Sequence, residues 1–125
     1  DEAILNAAYD DSKGVTAAFN LNLLARLNRE CGADFDLTAF RHRAFYNAGP
    51  GRIEMHLVSR VAQAVNVCNQ RYSFAAGESI HTENSYKYTP ARFRQLAEKA
   101  GFRPAAMWTD EDSLFSLHWL SLPQA

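Results

Sequence analysis

The sequence lacks most of the features that assign a chemistry at sight. Its only two cysteines, Cys31 and Cys68, fit no CxxC spacing. That excludes a disulfide framework and makes a reducing, cytoplasmic location the default expectation. The six glycines, Gly14, Gly32, Gly49, Gly51, Gly77 and Gly101, form neither GxGxxG nor a P-loop, so no glycine-rich turn for a nucleotide-type cofactor is expected. There is no GxSxG elbow, which leaves serine-hydrolase chemistry unsupported. Charge of one sign is missing as well. Thirteen basic and fourteen acidic residues give a formal charge of −1, and neither nucleic acid nor an anionic membrane is an expected partner. No run of 18 apolar residues and no signal-peptide pattern occur. The chain opens DEAILNAAYDD without an initiator methionine, which points to a processed or excised segment.

What is present is ordinary for a globular protein: 125 residues, 47% hydrophobic and 22% charged, enough for one domain with a real core or for part of a larger one. Asp1 to Ala8 reads as a helix end, closed by the turn-rich Asp10 to Gly14. Val15, Ala18, Phe19, Leu23, Leu27 and Cys31 recur at helical spacing, and Gly32 supplies the stop. Leu37 to Phe40 suggests one helical turn. Residues 41–47 and 52–60 flank Ala48-Gly49-Pro50-Gly51 and predict a hairpin. Ala64 to Cys68 and Tyr72 to Ala75 predict two short strands around Asn69-Gln70, and HTENSYKY (81–88) a final strand of the same sheet. Thr89-Pro90 begins a helix with Phe93, Leu96, Ala97 and Ala100 on one stripe, and Gly101 ends it. Two more strands, 102–108 and 114–122, complete an α+β arrangement with its organisational boundary near Tyr88.

HTENSYKY is unusual because it has no aliphatic side chain for a core face. In an unbroken strand His81, Glu83, Ser85 and Lys87 share one side, and Thr82, Asn84, Tyr86 and Tyr88 share the other. Glu83 and Ser85 then stand about 6 to 7 Å apart. A carboxylate only accepts hydrogen bonds, whereas a hydroxyl donates or accepts. The pair suits a neutral imidazole, which offers one N–H and one bare nitrogen. On pattern alone a solvent-facing strand is favoured over such a pocket. The histidines His42, His56, His81 and His118 are scattered without HxH or HExxH spacing, so no metal is expected, although His42 and His56 are placed to approach across the hairpin. Cys31 reads as a small core residue rather than a nucleophile.

The blocks AYDDSKGVTAAFNLNLLARLNRE (8–30), ADFDLTAFRHRAFYN (33–47), RIEMHL (52–57) and TENSYKY (82–88) together resemble the histidine-specific, S-adenosylmethionine-dependent methyltransferases. That family includes the enzymes that methylate histidine in ergothioneine biosynthesis. The resemblance implies that the chain is the C-terminal part of a protein more than twice as long and inactive by itself. Residues 1–88 would be most of a substrate-recognition domain. Residues 89–125 would be the last helix and antiparallel hairpin of a Rossmann-like class I methyltransferase core. It also implies L-histidine as the small-molecule substrate and S-adenosylmethionine as the cofactor, bound mostly outside this chain. Residue by residue, T-E-x-S-x-K places an imidazole-binding carboxylate at Glu83 and its partner hydroxyl at Ser85. AYDD places at Tyr9 a hydroxyl that holds the amino-acid end. RIEM places Met55 beside the bound side chain. No residue here is implied to be catalytic, to touch the cofactor or to ligate a metal. A methyltransferase for another amine or amino acid, and a stand-alone binding module, are the competing readings. Truncation would also expose surface for self-association.

Overall fold

The computed structural model describes residues 1–122 as a mixed α+β protein of two compact units, one of Asp1–Tyr86 and one that begins at Lys87. In the first, helices α1 (Glu2–Tyr9) and α2 (Val15–Cys31) precede a short 3-10 turn (Leu37–Ala39). Strands β1 (Phe40–Asn47), β2 (Arg52–Ser59), β3 (Gln63–Val67), β4 (Gln70–Phe74) and β5 (Ser79–Tyr86) follow. The second contains α3 (Pro90–Lys99), β6 (Arg103–Thr109) and β7 (Ser116–Ser121). All strand pairs are antiparallel. The first unit holds one three-stranded sheet of order β1-β2-β5, and β3 and β4 form a separate ribbon. HTENSYKY therefore pairs with β2, but the two strands before it do not join its sheet.

The β3–β4 ribbon turns at Cys68-Asn69, one residue earlier than the sequence suggests. Both residues have positive φ, 48° and 63°, the backbone of a tight primed hairpin turn, which asparagine tolerates well. The ribbon is fastened to the loop after α2 by the Asp34 carboxylate, which accepts from the Asn66 backbone N–H and side-chain amide, both at 2.7 Å. The main core lies where α2 meets the sheet and this ribbon: Leu24, Phe35, Phe40, Leu57 and Val65 are buried together. Phe40 receives Phe35 and Phe74 edge-on at 5.7 and 5.6 Å, a favoured aromatic geometry.

The face that α2 turns to this core differs from the expected stripe. Val15 and Phe19 are 66% and 69% exposed, while Leu24 and Asn20 are buried. The segment LNLLARL has apolar residues around much of its circumference, so periodicity alone leaves the centre of the buried face open. Polar satisfaction decides it. Asn28 donates to the Phe35 carbonyl and accepts from the Phe35 N–H, both at 2.8 Å. Asn20, two turns earlier on that side, bonds into the sheet. Burying these asparagines with partners costs little, and burying them without partners would cost far more.

In the second unit the Thr89 hydroxyl caps α3 by accepting from the Arg92 N–H at 3.3 Å. Phe93 of α3 lies 4.5 Å from the His118 ring of β7, and Ala97 is buried. The opposite face of the hairpin presents Trp108, Leu117 and Trp119, all more than half exposed.

The start of α2 depends on an upstream carboxylate. Asp11 accepts from the backbone N–H groups of Val15 and Thr16 at 3.0 and 2.9 Å. Those bonds, Thr16 first, hold its carboxyl well below the usual carboxylate range, at about 2. Because the folded value is depressed, this contribution is complete above the ordinary value of 3.8 and disappears as pH falls through about 2. Urea midpoints measured between pH 6 and pH 2 should therefore fall less steeply for Asp11→Asn than for the parent chain. Parallel pH profiles would show that Asp11 is not the acid-sensitive cap.

Candidate functional site

The inner face of the three-stranded sheet, towards α1 and α2, carries a second apolar cluster of Ala44, Ile53 and Met55, with Leu5, Tyr9 and Tyr46 packed on it. Polar bonds hold α1 and α2 against this floor. Asn20 Nδ2 donates to His42 Nδ1 at 3.0 Å and to the His56 carbonyl at 3.3 Å. With Nδ1 accepting, the neutral His42 ring carries its proton on Nε2 and donates to the Tyr9 carbonyl at 2.9 Å. Asn6, one turn earlier in α1, accepts from the Tyr46 N–H at 2.7 Å. His42 is thus a structural connector, and it points away from His56. In β1–β2 register His42 opposes Leu57, whereas His56 opposes Arg43. The two histidines lie on opposite faces and do not meet, contrary to the sequence expectation.

The face assignment of HTENSYKY also changes. The β2–β5 register shifts between Met55 and His56: Met55 pairs with Glu83, but His56 pairs with His81. Thr82 is the extra residue of a bulge, and its hydroxyl donates to the Met55 carbonyl at 2.9 Å. His81 and Glu83, two apart in sequence, therefore face opposite sides. Glu83 and Ser85 still share the inner side, opposite Met55 and Ile53. His81 stacks on His56 on the outer side, with ring centroids 4.4 Å apart. A bulge leaves no mark in hydrophobic periodicity when the strand has no hydrophobic residues to count.

Above the inner floor is an open cleft of about 300 Å³, bounded by Ala8 and Tyr9 of α1, Val15, Thr16 and Phe19 of α2, and Met55 and Glu83 of the sheet. Of the four candidate residues, Tyr9, Met55 and Glu83 line it directly. Ser85 joins through Tyr9, its Oγ lying 2.9 Å from the Tyr9 hydroxyl. Met55 is only 3% exposed, so it is floor and core at once. A neighbouring cleft of about 190 Å³ continues along α2 past Asn22, Leu23 and Arg26 to Thr82, and again includes Phe19 and Glu83. Glu83 and Phe19 form the ridge between the two. Val15 and Phe19, expected in the core, instead supply the apolar wall. The available signal for this was the crowding of apolar residues on α2, more than one core face can use.

Chemically the cleft offers a carboxylate on one wall, two linked hydroxyls on another and an apolar wall between. This suits a small flat polar group. Among the described residues of the cleft no nucleophile is paired with a base.

Comparison with known proteins gives a coherent result. The family profile described as histidine-specific methyltransferase, SAM-dependent, matches residues 1–122. The chain is 48% identical over 119 residues to a histidine N-alpha-methyltransferase of Mycolicibacterium smegmatis, covering 94% of this chain and 37% of that protein. It is 44% identical to the Mycobacterium tuberculosis protein of the same name, with the same coverage of 94% and 37%. It is 27% identical over 101 residues to ergothioneine biosynthesis protein 1 of Schizosaccharomyces pombe, covering 80% of this chain and 13% of that one. The chain thus spans well under half the length of the curated relatives it matches.

The Asn20–His42–Tyr9 relay carries its own prediction. Asn20→Ala leaves His42 Nδ1 and the His56 carbonyl without their donor, so unfolding in urea should show a loss of about 1–3 kcal/mol. A change below about 0.5 kcal/mol, as at ordinary surface sites, would show that water replaces the amide at no cost.

Proposed function

Because the chain belongs to the family of histidine-specific, S-adenosylmethionine-dependent methyltransferases, we propose that it is the histidine-recognising part of an enzyme that methylates the α-amine of L-histidine. The observation that carries this reading is the convergence of Tyr9, Met55, Glu83 and Ser85, distant in sequence, on one cleft and its hydroxyl pair. In this reading Glu83 accepts the imidazole N–H, and the Ser85 hydroxyl serves the second ring nitrogen. Tyr9 holds the amino-acid end, and Met55 packs beneath the side chain.

Selectivity follows from desolvation. An amino acid without an imidazole would cover the Glu83 carboxylate without offering it an N–H, which discriminates more strongly than a missing methylene does. The rest of the task is alignment of the α-amine. Fixing a reactant in a productive orientation is itself a large contribution to rate, and it needs no acid or base from these residues.

The described residues do not fit the cofactor. Every strand pair is antiparallel, and no glycine-rich turn leads from a parallel strand into a helix, so the backbone cradle for a nucleoside-type ligand is lacking. We assign no cofactor contact and no transfer step to residues 1–122. The proposal gives residues 1–88 to a substrate-recognition domain and α3, β6 and β7 to the closing elements of a Rossmann-like core. The exposed Trp108, Leu117 and Trp119 face supports it, because a class I methyltransferase sheet is covered on both sides.

The test is calorimetric titration of L-histidine into a full-length protein carrying this segment. Glu83→Ala should weaken binding by about 1.5–3 kcal/mol, the worth of a hydrogen bond to a charged group. Unchanged affinity removes Glu83 from the site. The 125-residue chain alone should transfer no methyl group to histidine, and turnover by it would overturn the assignment of the cofactor site elsewhere.

A further inference from the structure

The outer face of the three-stranded sheet holds a second constellation, on the side away from the cleft. We propose that Glu54, His56 and His81 form a binding site for a divalent transition-metal ion of the zinc type. One donor atom from each of the three residues lies within 4.8 Å of the others. Glu54 Oε2 and His56 Nε2 are 3.3 Å apart. Two ligands of one tetrahedral zinc, each at about 2.0–2.1 Å, are separated by about the same distance. A carboxylate with two imidazoles is a donor set suited to zinc and to its borderline neighbours, with a fourth position left open.

The residues behind the donors are arranged as such a site requires. Metal-bound histidines are oriented through their other ring nitrogen, and ligating carboxylates through further hydrogen bonds. His56 Nδ1 lies 3.1 Å from Ser79 Oγ, which directs Nε2 towards Glu54. Glu54 Oε1 accepts from Arg52 Nε and Nη2 at 2.9 and 2.7 Å and from Asn47 Nδ2 at 3.1 Å, leaving Oε2 for the ion. Phe45 stacks on His56 from the other side, with centroids 5.4 Å apart. Two of the three ligands are thus fixed in advance, and the side chain of Glu54 is only 9% exposed.

The third ligand must move. His81 and His56 are stacked with only 16° between their planes, and in-plane lone pairs of parallel rings do not converge on one ion. His81 is exposed and held through Nε2 by Asn84 Oδ1 at 2.8 Å and the Glu83 carbonyl at 3.2 Å. Metal capture therefore turns His81 out of the stack and exchanges those two bonds for one coordinate bond. The Arg52 and Arg43 guanidiniums nearby lower the affinity for a cation, so the ion binds exchangeably rather than as a permanent part of the fold.

Titration of the 125-residue chain with Zn²⁺ by calorimetry, and with Co²⁺ by visible absorption, tests this. One saturable site is expected, with cobalt d–d bands of four-coordinate intensity and no thiolate charge-transfer band. His81→Ala, at an exposed position that should not disturb folding, should weaken binding at least about tenfold, and Ser79→Ala by about tenfold, the lower end of the range for a residue behind a metal ligand. Absence of saturable binding would overturn the proposal, as would affinity unchanged in His81→Ala. So would a near-ultraviolet thiolate band, which would put the ion on Cys31 and Cys68.

Discussion

The bulge at Thr82 is the constraint on which the two faces of the sheet depend. A β-strand alternates its side chains, so residues two apart belong together unless an extra residue intervenes. Thr82 is that residue, and its hydroxyl bond to the Met55 carbonyl holds the irregular backbone in place. With it, Glu83 and Ser85 face the inner cleft while His81 lies on the outer face beside His56. Without it, His81 would stay with Glu83 and Ser85 on one side of the strand. The outer cluster would then lose a member, and the inner side would gain a ring beside Glu83.

The inner face is shaped by where polar groups find partners. Asn20 and Asn28 decide which side of α2 is buried, since each has backbone or ring partners waiting only in that orientation. Leu24 enters the core as a consequence, and Val15 and Phe19 are left on the cleft wall. Burying those two side chains on the sheet instead would gain apolar contact at about 1.5–3 kcal/mol each. It would also leave two asparagines and their partners unpaired at a comparable cost for each group. Satisfied polar groups and a large apolar cluster on one side outweigh two further apolar contacts on the other.

This balance explains what could be read from the sequence. The elements were legible because their signals are local: Gly32 after α2, Gly49-Pro50-Gly51 between β1 and β2, Thr89-Pro90 before α3. AYDD, RIEM and TENSYKY resemble one family, and Tyr9, Met55 and Glu83 from these blocks line one cleft. Other features were not legible, among them three that depend on contacts between elements. The orientation of α2 depends on hydrogen-bond partners in other strands. The bulge depends on the pairing register with β2, which a strand of wholly polar residues does not announce. The separation of His42 from His56 follows from an offset of one residue in the β1–β2 register, and one residue is the difference between two faces.

The same geometry ties the outer cluster to the cleft. His81 and Glu83 flank the bulge, and the His81 ring lies 3.2 Å from the Glu83 carbonyl, while the Glu83 side chain forms part of the cleft wall. Turning His81 towards Glu54 and His56 releases that contact and loosens the peptide that aims the carboxylate. Coupling of this kind is reciprocal: a ligand that fixes Glu83 on the inner face also acts on the freedom of His81 on the outer one. The size of the effect is limited by the differential contacts available, here one hydrogen bond to a carbonyl and one ring stack, each worth about 0.5–1.5 kcal/mol. Together these bound the coupling at about 1–3 kcal/mol, so an ion on the outer face would shift a ligand's affinity for the cleft by at most about two orders of magnitude.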